Sequence, residues 1–365
     1  MWFKRMTLEK WFDDHQYQID HDIGESAVKF LTVGDLGVDL QQVKLRYGYH
    51  LGRPDLRECI AEQYPGFSGE DIIVTTGASE AIFSIVSTAV QPGDHVIVEH
   101  PNYPSLYTVP RGLGCDVTLF SLSFENAFRP DLCRLRDMIT PKTKLMSFTH
   151  PNNPTGSMIS QEQLQALVDL AEERDVLLLF DETYREMDFA HSLPPAATLS
   201  DKVISISTMS KCYGLPGIRI GWIATKNRSV LDSVLTVREH VSITNNAVGE
   251  EIALRVLQQK DAFLQRARAH IEKNRRIVSD WMENQEDFEW VYPEAGVVSL
   301  PRIKSHVQVD PEELYRLLAV KYRTFTVPGR CFEMENRYFR LGFGGTHEEI
   351  EAGLHCVSNA LSELT

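Results

Sequence analysis

From about residue 70 to residue 225 the chain repeats one alternation: a short, nearly continuous apolar run, then a stretch with apolar residues three and four apart. The runs are DIIVTT (71–76), HVIVEH (95–100), CDVTLFSL (115–122), KLMSFTH (144–150), VLLLFDE (176–182), KVISIST (202–208) and RIGWIAT (219–225). Between them, GASEAIFSIVSTAV (77–90), PDLCRLRDMIT (130–140) and SQEQLQALVDLAEERD (160–175) have the spacing of amphipathic helices. A strand with one wet face alternates polar and apolar residues, whereas these runs do not. Such strands are buried on both faces, and strands separated by helices pair in parallel. The fold class is α/β, with a mostly parallel central sheet flanked by helices.

After residue 225 the pattern changes. Residues 228–239 read as a helix, and residues 246–284 as a longer one that connects two domains. Residues 285–365 then read as a smaller α+β domain, with FEWVYPEAGVVSLPRI, TFTVPGRCF and YFRLGF among its strand segments and helices from about 310 and 347. Residues 1–44 read as an arm plus part of this small domain, and residues 45–245 as the large domain.

In an open parallel sheet, ligands bind beyond the carboxyl ends of the strands. Here those ends carry an unusual series. They are Gly77, Ala78 and Ser79 at a helix start, then Pro101-Asn102-Tyr103, PNNPTG (151–156), Asp181-Glu182-Thr183-Tyr184, and Thr208-Met209-Ser210-Lys211. A helix N-terminus for an anion, an aromatic ring, an amide, a carboxylate with a phenol, and a lysine together describe a site for a charged planar heterocycle. Singly, each has a plainer use: Asp181 as a helix cap, Gly77 as a turn, Tyr103 or Tyr184 as packing, Lys211 as a solvated surface charge.

These segments closely resemble the class I/II aminotransferases, enzymes of fold type I that use pyridoxal 5′-phosphate (PLP). The resemblance runs from Tyr47 to Arg340 and is most specific in TMSKCYGLPGIRIGW, with NNPTG and DETY in support. It implies that Lys211 forms the Schiff base with the cofactor and shuttles the substrate proton, as a lysine with a lowered pKa is suited to do. It also implies that Asp181 faces the pyridine nitrogen, that Tyr184 and Asn153 meet the cofactor's phenolic oxygen, and that Tyr103 stacks on the ring. Gly77, Ala78, Ser79, Thr208, Ser210 and Arg219 then hold the phosphate, Arg219 lying eight residues after Lys211. Arg340, with Asn153, binds the substrate α-carboxylate, while Arg337 nearby reads as solvated. The Asn153–Pro154 peptide is expected to be cis. Tyr47, in YxxxxGxxxLR, is expected to reach the phosphate of a partner subunit, which implies a homodimer with shared sites; Tyr49 competes for that alignment.

The N-terminal stretch DIGESAVKFLTVGDL is the least typical of the family. It looks like the short members that modify arginine-derived amino acids, such as capreomycidine synthase. The resemblance therefore implies amino-group transfer between a small amino acid and a 2-oxo acid, with a PLP-dependent lyase or cyclase as the alternative on the same fold. A non-catalytic effector domain of a transcription regulator is a further alternative, but those proteins carry a basic helix-turn-helix extension. The net charge here is −14, and no long Lys/Arg cluster offers a nucleic-acid surface. Six scattered cysteines show no CxxC pair and no metal-ligand spacing, so reduced thiols and no metal are expected. The start has no apolar signal core, and no apolar window approaches the ~18 residues of a membrane span. A cytoplasmic location is the expectation.

Overall fold

The computed structural model describes residues 2–189 and 192–365. Seven strands form the central sheet: β1 (Ile72–Thr75), β2 (His95–His100), β3 (Asp116–Ser121), β4 (Thr143–Thr149), β5 (Leu177–Asp181), β6 (Val203–Thr208) and β7 (Gly221–Ala224). Their order across the sheet is β1-β7-β6-β5-β4-β2-β3. All neighbouring pairs are parallel except those made by β7, which is antiparallel to both β1 and β6. Six strands thus point the same way, and β7 alone begins at the edge where the others end.

Pleating sorts the apolar residues between two layers. Val96 and Val98 pack with Ile82, Ile85 and Leu106 on one face, whereas Ile97 packs with Phe148, Leu164 and Leu167 on the other. Strands β1, β2, β6 and β7 are buried at every position, β1 although it lies at one edge of the sheet, while the other edge strand, β3, is largely open. Full burial of each Val, Leu or Ile stabilises by roughly 1.5–3 kcal/mol. The sheet is therefore a rigid base for the loops at its carboxyl edge.

The second body carries an antiparallel sheet of Val298–Ser299, Phe339–Gly342 and Val327–Pro328, backed by helices Pro311–Val320 and His347–Leu364. The N-terminal segment joins it: His21–Asp22 pairs in parallel with Thr324–Phe325, and Trp11 Nε1 donates to Thr326 O at 2.8 Å. The stretch read as one helix over 246–284 is two helices, Ala247–Leu257 and Lys260–Glu283, broken at Gln258 and Gln259. The first is buried almost all round. The second buries a single stripe, Leu264, Ile271, Asn274, Val278 and Met282. Two such different burial demands are not met along one straight axis, and no proline or glycine marks the break. Arg337, read as solvated, is half-buried and donates to Lys304 O and Val307 O, because its strand end lies over that loop. Among the described residues, no helix is long and apolar enough to cross a membrane.

Candidate active site

A cavity of about 520 Å³ opens at the carboxyl edge of the central sheet. Ala78, Ser79, Tyr103, Asn153, Asp181, Tyr184, Thr208, Ser210, Lys211, Arg219 and Arg340 all line it. Residues from five strand ends and from the second body thus meet in one place.

At one end of the cavity the helix Gly77–Ala89 begins against β7. Gly221 lies in register with Thr75 on one side and Thr208 on the other. A Cβ on Gly221 would sit 2.7 Å from Gly77 C and 2.8 Å from Ala78 N, so only glycine lets the helix start approach this closely. Gly77 is itself at φ +76, and a Cβ there would meet Arg219 Nη2 at 2.5 Å. Although Gly77 does not line the cavity, it fixes the turn that points the helix N–H groups into it. Arg219, also in the left-handed region at φ 53, donates to Pro216 O at 3.0 Å. The Thr208 and Ser210 hydroxyls lie 2.9 Å apart. Free N–H groups at a helix start, two hydroxyls and a guanidinium form an anion cradle.

Deeper in the cavity, Asp181 is buried, and its Oδ1 accepts the Thr183 N–H at 2.9 Å. Burial pushes its carboxyl up to about 6, and no cation among the described residues opposes the shift. Tyr103 is half-buried; its hydroxyl donates to Glu9 Oε1 at 3.1 Å and is pushed up to about 12 by burial, with Glu9 adding to it. The loop carrying Tyr103 is held by a buried network in which Asn102 Oδ1 accepts from Tyr103 N and Thr149 Oγ1, and Glu99 meets His150 at 2.8 Å. His150 thus ties β2 to β4, and His100 binds Phe332 O. The Asn153–Pro154 peptide is cis, and Asn153 Oδ1 accepts from Arg340 Nη1 at 3.3 Å.

Lys211 Nζ donates to Glu25 Oε1 and to Ser26 Oγ, both at 3.0 Å. The same N-terminal loop meets two other residues expected in the site. Gly24 O accepts from Arg340 Nε and Nη2 at 2.9 and 2.7 Å, and Ser26 O accepts the Tyr184 hydroxyl at 2.8 Å. Sequence reasoning missed Glu25 and Ser26, and also Met6, Glu9 and Phe12 of the N-terminal segment, which line the cavity. Tyr47 is not among the residues brought together: it is 81% exposed and borders a separate depression with Lys44, Arg46 and Glu251.

The sequence profile of the family "Aminotransferase class I and II" matches residues 23–357. The chain belongs to the class I and II aminotransferases. It is 31% identical to capreomycidine synthase of Streptomyces vinaceus, over 97% of this chain and 93% of that protein. The fold is similar to the crystal structure of a PLP-dependent aminotransferase from Streptococcus suis, with a TM-score of 0.94 and 32% identity, covering 100% of this chain and 99% of that one. It is also similar to the PLP-dependent cyclase OrfR, with a TM-score of 0.90 and 29% identity over 100% of this chain and 98% of that one.

PLP is the cofactor of this family and of this chain. The cavity suits it. An anion cradle lies at one end, and Asp181, a buried carboxylate with no cation beside it among the described residues, matches a protonated ring nitrogen. A lysine amine reaches the same space.

Proposed function

We propose that this enzyme is an aminotransferase that moves an amino group between a small amino acid and a 2-oxo acid. The observation that carries the reading is the convergence of Lys211, Asp181 and Arg340 on one cavity from three distant parts of the chain. In this reading the cofactor, when bound, accepts the electron pair released at the substrate Cα. Lys211 holds the cofactor covalently at rest and afterwards moves the Cα proton. Asp181 keeps the ring nitrogen protonated. Arg219, Thr208, Ser210 and the start of helix Gly77–Ala89 hold the phosphate. Tyr103 covers the ring face, and Tyr184 and Asn153 flank its oxygen. Arg340 offers its planar fork to the α-carboxylate, with its position set by Gly24 O and Asn153.

A second reading has support of its own. The likeness to capreomycidine synthase extends over nearly the whole chain, and OrfR is a cyclase on the same fold. Cα deprotonation serves elimination and cyclisation equally well, and the outcomes part at where the proton returns. Single-turnover mixing with a panel of amino acids separates them. Amino-group transfer predicts one equivalent of 2-oxo acid per site, with the nitrogen retained on the cofactor. A product that keeps its α-nitrogen and has lost water or closed a ring would replace transfer with the second reading.

We also propose a homodimer in which Tyr47 completes the partner's phosphate site, which accounts for an exposed tyrosine outside the cavity of its own chain. Tyr47→Phe is expected to weaken PLP retention about tenfold, the loss of one hydrogen bond to a charged group. Mixed and reassorted Lys211→Ala and Tyr47→Phe chains should recover one fully competent site per heterodimer. A monomer with full activity in sedimentation and assay at the same concentration would rule this out.

A further inference from the structure

We propose that Glu25 is a positioning residue for proton transfer at Lys211: its carboxylate meets the ammonium that forms when Lys211 takes the substrate Cα proton. The inference rests on the reading of Lys211 as the lysine that holds the cofactor and moves the proton.

The geometry is built rather than incidental. Glu25 Oε1 stands 3.0 Å from Lys211 Nζ and also accepts the Ser26 N–H at 2.8 Å. Its side chain is only 17% exposed. The loop that carries it is held from three directions. Arg340 grips Gly24 O, the Tyr184 hydroxyl grips Ser26 O, and Val28 N donates to Lys211 O at 3.1 Å. The carboxylate therefore has little freedom to leave the lysine.

The charges around it fix its ionisation. Burial alone pushes the Glu25 carboxyl up, but Lys211 and Arg340 outweigh burial and hold it below its ordinary value. Asp22, at the end of the strand just before this loop, is pushed up to about 6 by burial and by Glu25 itself. Of these two neighbouring carboxyls, Glu25 is the one that keeps its charge. Arg340 faces it from strand Phe339–Gly342, Lys211 and Arg219 from the segment between β6 and β7, and Asp181 and Tyr184 from the end of β5.

The step balances without a further reactant. The neutral Lys211 amine takes the Cα proton, and the C–H electron pair stays with the substrate. Nζ becomes an ammonium inside a cavity that already holds the Arg340 cation. Glu25 offsets that new charge at hydrogen-bond distance and neither gains nor loses a proton itself. When Lys211 returns the proton, the amine is neutral again. A fixed opposite charge aimed at a group that becomes charged in the transition state lowers the barrier most where water is excluded.

Glu25→Gln keeps the shape and an acceptor but removes the charge. In apoenzyme at one fixed neutral pH, the rate at which an amine-selective reagent acylates Lys211, followed by peptide mass, should rise about tenfold, because the nearby carboxylate no longer favours the charged amine. In holoenzyme, kcat should fall about tenfold to a hundredfold, and the Cα-deuterium isotope effect should rise. Glu25→Asp should recover part of both, and Ser26→Ala, which removes a neutral contact, should change the acylation rate far less than Glu25→Gln. An unchanged acylation rate or an unchanged isotope effect in Glu25→Gln, with PLP still attached to Lys211, would overturn the role of Glu25 alone. PLP attached to a different lysine would overturn the reading of Lys211 and this proposal with it.

Discussion

Lys211→Ala is expected to retain non-covalent PLP while losing turnover by about ten-thousandfold or more. Positioned proton transfer alone contributes about a hundredfold to ten-thousandfold, and the variant also loses the covalent hold that delivers the cofactor in one orientation. Asp181, Arg219 and the helix N-terminus are untouched by the change, so absorbance should still report bound cofactor. The mutation also removes the cation in contact with Glu25, since the two side chains form an ion pair at 3.0 Å, and leaves Arg340 alone to oppose burial there. The Glu25 carboxyl should then titrate higher than in the parent. Steady-state assays over a concentration series, with dialysis to measure retention, check both halves. Turnover within about tenfold of the parent would remove Lys211 from the chemistry, because that is smaller than any general acid–base contribution.

Asp181→Asn is expected to produce the second largest effect, with opposite signs for activity and stability. Without a carboxylate facing it, the ring nitrogen is not held protonated, and turnover should fall at least about a hundredfold, as for other charge-stabilising groups in a dry site. The apoenzyme should nevertheless gain stability above pH 6. Asp181 is raised from 3.8 to about 6 by burial, so the folded state favours the protonated form. Its stabilising contribution is complete below the unfolded value near 4 and is lost as pH rises through 6. A shift of that size corresponds to roughly 3 kcal/mol. Denaturation of both apoenzymes across pH 4–8 should therefore show a pH-dependent gap that closes at the acid end. PLP should narrow the gap at pH 8, because its protonated nitrogen supplies the missing cation in the parent. Parallel curves for parent and variant would mean that Asp181 is ionised at no cost in the empty site.

The two variants concern residues that were readable for a local reason. Lys211 and Asp181 follow apolar runs directly, and a parallel sheet collects every such strand end along one edge. The direction of β7 was less plainly written in the chain. Only residues 209–220 separate β6 from β7, with a single short turn at Pro216–Ile218. These twelve residues just reach the length of a parallel crossover but hold no α-helix to make one, and the connection closes an antiparallel pair. That reversal puts Arg219 at the same edge as Lys211.

The loop at residues 24–26 was not readable in the same way. Its partners, Tyr184, Lys211 and Arg340, lie between about 150 and 320 positions away in the chain, and no periodicity encodes such a contact. The signal available was Gly24 itself, where a Cβ would meet Phe325 Cδ1 at 2.8 Å, but the neighbour is known only once the second body has folded. The break at Gln258 and Gln259 was hidden for a related reason. Both residues are good helix formers, and tertiary burial of the flanking helices decided the matter. Tyr47 has mostly solvent around it in a single chain, so no contact within the chain marks its role.

Borohydride reduction of the holoenzyme, followed by proteolysis and peptide mass mapping, bears most directly on the assignment from which the other roles follow. A pyridoxyl group on the peptide containing Ser210, Lys211 and Cys212, at Lys211 and in one copy per chain, is the expected result. A pyridoxyl group on any other lysine, or none after reduction of fully loaded enzyme, would contradict it.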